Sequence, residues 1–274
     1  MATKIAFFDA KSYDRETFDK VNQNFGFEIH YYKERLSLNT VSLTQGADAV
    51  CIFVNAECDE RVIERMAGYG VRLIALRCAG FNNVDIDYAA EKGITVCNAG
   101  QYSTNAVAQQ TFAYILDRFS RIRDYDTAVK NGEWERSPAF SYFPVPTSEL
   151  AGKTLAIVGY GSIGRKVAEI GSAFGMNIVI STRTQPKDCP YEVTDLFTAA
   201  EKADVITFHC PLFPETTGIV NKDSIAGMKD GVILINTARG PIVVDQDVVD
   251  AVKSGKIYAY AADVVSREPI SADN

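Results

Sequence analysis

The chain has 274 residues, with 28 Lys and Arg against 35 Asp and Glu, a formal charge of −7. That length suits two domains, and 47% apolar with 23% charged residues excludes large-scale disorder. An acidic chain with pI ≈ 5.0 has no bulk attraction for a phosphate backbone, so nucleic acid is not an expected partner, and no apolar run approaches the ~20 residues that span a bilayer, so a membrane is not one either.

In chain order, short β-rich runs alternate with longer helical patterns. Residues 4–8, 49–54, 72–76 and 94–97 read as strands. Between them, Phe18, Val21 and Phe25 recur at helical spacing within 14–25, as do Val62, Ile63 and Met66 within 59–67. One long helix is expected from about Thr104 to Val129, followed by a proline-punctuated loop from Ser137-Pro138 to Phe143-Pro144-Val145-Pro146. The alternation then restarts, with strands expected at 154–158, 177–181, 205–208, 232–236 and 258–262. A helix over 246–253 is closed by Gly255. Continuous apolar strands joined by helices predict parallel sheets covered on both faces. The simplest organisation is two α/β domains, 1–102 and 103–274, joined near residues 98–104.

The six cysteines are scattered, with no C-x-x-C pair, and His30 and His209 are the two histidines. A Cys/His zinc site is therefore not expected, and scattered, mostly apolar-flanked thiols suit a reducing cytoplasm.

The run Thr154–Val158 leads into Gly159-Tyr160-Gly161-Ser162-Ile163-Gly164, then an amphipathic stretch over 165–174 and a second apolar strand. Alone, GxGxxG is weak evidence; between strand and helix in a βαβ unit it is the dinucleotide-binding fingerprint. Gly159 permits the tight turn, Gly161 lets the backbone approach a pyrophosphate, and Gly164 lets helix and strand pack closely. The helix N-terminus faces the phosphates. An acid at the end of the second strand would bind a ribose 2′-hydroxyl and repel a 2′-phosphate. Here the strand ends Ile180-Ser181-Thr182-Arg183-Thr184, and no acid appears until Asp188. Thr182 is small and neutral, and Arg183 can pair with a 2′-phosphate. The expected cofactor is NADP or NAD, leaning to NADP. The alternative for Arg183 is a solvated surface charge.

Asn236-Thr237-Ala238-Arg239-Gly240 ends another apolar strand. An arginine there points into the ligand crevice of a doubly wound sheet. Its planar fork can grip a carboxylate and polarise a neighbouring carbonyl. The next strand ends at Asp263, with Glu268 close behind, placing both near the same edge.

These motifs, with Arg77-Cys78-Ala79-Gly80-Phe81-Asn82-Asn83-Val84-Asp85, Tyr102–Ala108 and His209-Cys210-Pro211-Leu212, give a chain that resembles the D-isomer-specific 2-hydroxyacid dehydrogenase family throughout. The amino-terminal half looks like the D-lactate dehydrogenase branch. The stretch from Asn131-Gly132-Glu133-Trp134 onward looks more like glycerate dehydrogenases, also called hydroxypyruvate reductases. The resemblance implies a flavodoxin-like substrate domain and a Rossmann dinucleotide domain, with a short 2-keto acid or D-2-hydroxy acid as substrate. Hydroxypyruvate or glyoxylate is favoured, then pyruvate. It also implies a homodimer built mostly through the cofactor domain.

By the same resemblance, Arg239 binds the substrate carboxylate and Glu268 raises the pKa of a catalytic histidine. The Ala79 and Gly80 amides hold the carboxylate, and Tyr102 borders that pocket. Ser162 and Ile163 face the pyrophosphate. Cys210, Pro211 and Thr216 line the ribose and adenine side; Thr237, Ala238 and Asp263 lie near the nicotinamide. Blander alternatives stay open: core packing for Tyr102, a strand-end cap for Asp263, a loop carboxylate for Glu268.

Reduction of a keto acid needs a proton donor, for which histidine is suited. In this family it follows the Glu-Pro element by some tens of residues, whereas this chain reaches Ile270-Ser271-Ala272-Asp273-Asn274 first. His30 reads as surface or strand packing and His209 as a structural residue near the cofactor. The expectation is therefore a chain that lacks the catalytic histidine, the last strand of the cofactor sheet and a C-terminal helix of the first domain, and that turns over poorly. The rival reading is a dinucleotide-responsive, corepressor-like binding protein or an inactive pseudoenzyme.

Overall fold

A computed structural model describes residues 2–268 and 270. The chain divides into two compact units, residues 1–102 and 103–274. Met1, Pro269 and residues 271–274 lie outside the described residues.

The first unit is a five-stranded parallel sheet of β1 (Lys4–Phe7), β2 (Glu28–Tyr31), β3 (Ala49–Ile52), β4 (Leu73–Leu76) and β5 (Thr95–Cys97). Their order is β2-β1-β3-β4-β5, the flavodoxin-like arrangement. Helices α1 (Ser12–Asn22), α2 (Glu60–Gly68) and α3 (Ile86–Glu91) connect the strands. Asp59 caps α2 by accepting from the Val62 N–H, and Asp85 caps α3 through the Tyr88 N–H. Each aspartate fixes where its helix starts, and Val62, Ile63 and Met66 then fall on the buried face of α2.

Arg77 ties the C-terminal ends of β1 and β4 together. Its guanidinium donates to the Phe8 carbonyl at 2.9 Å and the Asp9 carbonyl at 3.3 Å, lies over the Phe7 ring, and faces Asp14 at 3.6 Å. Both charged side chains of that pair are about nine-tenths buried.

The second unit opens with α4 (Thr104–Ser120) and α5 (Ile122–Lys130). The single long helix expected to about Val129 is corrected here. Arg121 adopts the left-handed conformation, φ 52°, which stops α4 and starts α5 in a new direction. Its guanidinium is held by Asp124 at 2.6 Å and the Tyr258 phenol at 2.7 Å, which offsets part of the steric cost of that backbone. The proline-punctuated segment forms neither helix nor strand.

Six parallel strands follow: β6 (Thr154–Val158), β7 (Asn177–Ser181), β8 (Glu192–Thr194), β9 (Val205–Phe208), β10 (Val232–Asn236) and β11 (Ile257–Ala262). Their order, β11-β10-β9-β6-β7-β8, is the doubly wound arrangement of a dinucleotide-binding sheet. Helices α6 (Ser162–Ala173), α7 (Leu196–Lys202), α8 (Lys222–Ala226) and α9 (Asp245–Ser254) intervene. Strands β9 and β10 are buried along their whole length, which is why they read as unbroken apolar runs. The register pairs Val158 with Ser181 and Phe208, Phe208 with Asn236, and Asn236 with Ala262. Five strands therefore end on one line. Among the described residues, no helix is long and apolar enough to cross a membrane.

The Arg77–Asp14 pair yields a stability prediction. Arg77→Met leaves a buried carboxylate with the Lys11 N–H as its partner and should cost about 3 kcal/mol in urea unfolding; a loss below about 1 kcal/mol would show that the pair is dispensable.

Candidate active site

At the end of β6 the three glycines meet different surroundings. Gly159 has φ 99°, and a Cβ there would lie 2.7 Å from the backbone of His209 and Cys210. A Cβ on Gly164 would lie 2.0 Å from the Gly159 carbonyl oxygen, so any side chain would push α6 off the loop. A Cβ on Gly161 would meet nothing within 4 Å. The first and third glycines are thus required by the protein's own packing. The second borders open space in front of α6, whose first-turn N–H groups have no intrahelical acceptors. That is the shape a pyrophosphate needs. Ser162 and Ile163 form the first turn of α6; the Ile163 side chain packs into the core, leaving its backbone toward the loop.

The ends of β6, β7 and β9 enclose a cavity of about 370 Å³. It gathers Gly159, Gly161, Thr182, Arg183, Cys210, Pro211 and Thr216. Arg183 is exposed, and its guanidinium sits 5.4 Å above the ring of Phe213 on the opposite wall. The Thr216 hydroxyl is engaged within its own loop, accepting from the Phe213 N–H at 2.7 Å and donating to the Pro211 carbonyl at 2.8 Å. Burial pushes the Cys210 thiol up to about 11, so it is not a nucleophile near neutral pH.

His209 borders the same cavity. Its Nε2 lies 3.0 Å from the Thr207 hydroxyl, and its buried Nδ1 has no hydrogen-bond partner among the described residues. Burial pushes its pKa down to about 3. The ring is neutral near pH 7 and has no imidazolium proton to give.

Arg239 is half-buried and directly follows a fully buried run that ends β10 and continues through Ala238. Its Nη1 donates to the Ala238 carbonyl at 2.6 Å. A Cβ on Gly240 would lie 1.9 Å from the Val265 carbonyl oxygen, so this turn presses against the loop that follows β11. In that loop Glu268 is exposed and accepts from the Val265 N–H at 3.2 Å. Asp263, just past β11, is raised from its ordinary value by partial desolvation and, secondarily, by Glu268. The sheet therefore brings Thr237, Ala238, Arg239 and Asp263 to the same edge as the glycine loop.

Motif reading passed over Asn236 and Tyr260. Asn236 lies within the quoted Asn236–Gly240 motif, but its work depends on the turn geometry and on a neighbouring strand.

In the first unit, Ala79 and Gly80 follow β4, and neither of their amide N–H groups has a hydrogen-bond acceptor among the described residues. The loop is fixed by its carbonyls instead. Ala79 O accepts from Asn98 Nδ2 at 2.7 Å, Gly80 O from the Cys78 thiol at 3.2 Å, and Cys78 O from the Ala99 N–H at 3.0 Å. Two unspent donors on a fixed loop suit a carboxylate. Tyr102 is 69% exposed, which removes the core-packing alternative for it.

A doubly wound sheet with a glycine loop at one strand end and an arginine turn two strands away defines a Rossmann-type dinucleotide-binding protein. Residues 112–274 match the family described as D-isomer specific 2-hydroxyacid dehydrogenase, NAD binding domain. The chain is 42% identical over 209 residues to a hydroxypyruvate reductase of Blautia hydrogenotrophica, covering 74% of this chain and 64% of that protein. It is 35% identical over 269 residues to a D-lactate dehydrogenase of Escherichia coli, covering 97% and 80%. Among solved structures, D-lactate dehydrogenase from Aquifex aeolicus, complexed with NAD and lactic acid, aligns with a TM-score of 0.83 at 30% identity, over 96% of this chain and 78% of that one. The chain belongs to the D-isomer-specific 2-hydroxyacid dehydrogenase family.

Two predictions test this site. Gly161→Ala should leave thermal stability unchanged but weaken dinucleotide binding about tenfold or more, whereas Gly164→Ala should lower both; equal behaviour of the two variants would contradict the open cradle at Gly161. For His209, the pKa of about 3 lies below the ordinary 6.5, so the unfolded chain binds the extra proton. Its contribution to stability is complete above 6.5 and is lost as pH falls toward 3. The wild-type difference in unfolding free energy between about pH 7 and about pH 5 should shrink by about 2 kcal/mol in His209→Gln; an unchanged difference would contradict a buried neutral ring.

Proposed function

We propose that the chain acts as an NAD(P)(H)-dependent D-2-hydroxyacid dehydrogenase, moving a hydride between the dinucleotide and a short 2-keto or 2-hydroxy acid. The observation that supports this most is the placement, at one sheet edge, of an open glycine cradle on β6 and an arginine turn on β10. On this reading the nicotinamide, when bound, supplies or accepts the hydride. The chain's own groups bind and orient. The loop at Gly161 and the first turn of α6 hold the pyrophosphate. Thr182, Arg183, Cys210, Pro211 and Thr216 border the adenosine end, and Thr237, Ala238 and Asp263 the other end. The Arg239 guanidinium grips the substrate carboxylate in two parallel hydrogen bonds and polarises the neighbouring carbonyl. The unspent Ala79 and Gly80 amides are further carboxylate donors, with Tyr102 at the border of that loop.

Hydroxypyruvate or glyoxylate is the favoured substrate, ahead of pyruvate, on the strength of the 42% identity to a hydroxypyruvate reductase. Glu268 is the carboxylate that would favour an imidazolium partner. His209 is neutral near pH 7, and His30 is spent on Glu28 at 2.8 Å. A homodimer in a reducing cytoplasm accords with the family resemblance and with cysteines that form no disulfide among the described residues.

NADP is the preferred dinucleotide on this reading. Ser181 ends β7 and Thr182 follows it, neither with a carboxylate, and Arg183 lines the cavity. Arg183→Ala should weaken NADPH binding about tenfold while NADH affinity moves by less than about twofold, read by fluorescence titration. A strong NADH preference, unaltered by the substitution, would overturn the choice of dinucleotide.

A further inference from the structure

Asn236 is fully buried and spends both ends of its side-chain amide on the turn that follows β10. Its Oδ1 accepts from the Ala238 N–H at 3.1 Å, and its Nδ2 donates to the Arg239 carbonyl at 2.9 Å. The phenol of Tyr260, on the adjacent strand β11, lies 3.5 Å from the same Nδ2. Between these anchor points, the Thr237 hydroxyl turns inward to meet Thr111 of α4 at 3.3 Å. Just beyond, Gly240 lies in backbone contact range of Val265. The backbone of Arg239 is thus fixed on both sides, while its side chain stays half-buried.

We infer that Asn236 is a positioning residue for Arg239: by clamping the Ala238 N–H and the Arg239 carbonyl at once, it sets where the guanidinium fork points and so governs affinity for the carboxylate of a 2-keto acid. This rests on the reading of Arg239 as the carboxylate-binding group. The chemistry calls for an amide. One partner is a donor and the other an acceptor, so a carboxylate at this place would serve the N–H and repel the carbonyl. An aliphatic side chain would leave the buried Ala238 N–H without its acceptor and the Arg239 carbonyl held by the Ile242 N–H alone.

The test is equilibrium binding of oxamate, an unreactive isostere of a 2-keto acid, to the chain saturated with NADPH or NADH, followed by quenching of the dinucleotide fluorescence. Dinucleotide affinity is measured on the same samples. Asn236→Asp and Asn236→Ala should each weaken oxamate about tenfold or more, with dinucleotide affinity held within about twofold. Arg239→Met should abolish oxamate binding and spare the dinucleotide. Oxamate binding at wild-type strength in both Asn236 variants, with Arg239→Met failing to bind oxamate, overturns the inference alone. A parallel loss of both affinities in both variants also overturns it, because it marks Asn236 as a residue of the core and not of the arginine turn. Wild-type oxamate binding by Arg239→Met overturns the carboxylate reading and the inference with it.

Discussion

Inside a parallel sheet every strand spends its N–H and C=O groups on its neighbours, so unspent polar groups collect where the strands stop. In the second unit β6, β7, β9, β10 and β11 stop on one line. The three described glycines with the least room for a side chain lie along that line. Gly164 packs against the Gly159 carbonyl, Gly159 against the His209 peptide, and Gly240 against Val265. Each removes the space for a side chain and draws one strand-end loop onto the next. What is left open, in front of Gly161 and beside Arg239, is left open because everything around it is closed.

The charges at this edge follow the same division. His209 and Cys210 border the cavity, but burial keeps both neutral near pH 7. Arg183 and Arg239 hold permanent charge and are only partly covered. The edge thus carries a guanidinium at two places. In the first unit the same economy appears at smaller scale. A buried Arg77 holds β1 and β4 in place, and the loop just after it keeps two amide donors unspent.

Much of this was legible in the sequence because the buried central strands are unbroken apolar runs, and because GxGxxG and NTARG sit directly at their ends. Edge strands were harder. Glu28–Tyr31 and Glu192–Thr194 are short and carry polar residues, since one side of each faces no partner strand. The break at Arg121 was hidden because the apolar spacing runs through it; only the backbone shows the left-handed residue, and its support comes from Tyr258, far along the chain. Asn236 was hidden for a related reason. A motif shows that an asparagine precedes the arginine, but not that its amide faces back into the turn or that Tyr260 stands beside it.

The central claim is that the glycine loop of this chain holds one dinucleotide. An equilibrium titration of NADPH into the 274-residue chain, read by nucleotide fluorescence and repeated with NADH as competitor, measures it directly. The account predicts saturation at about one dinucleotide per chain, with NADH displacing NADPH from the same site. Binding that never saturates, or NADPH that NADH does not displace, would contradict it.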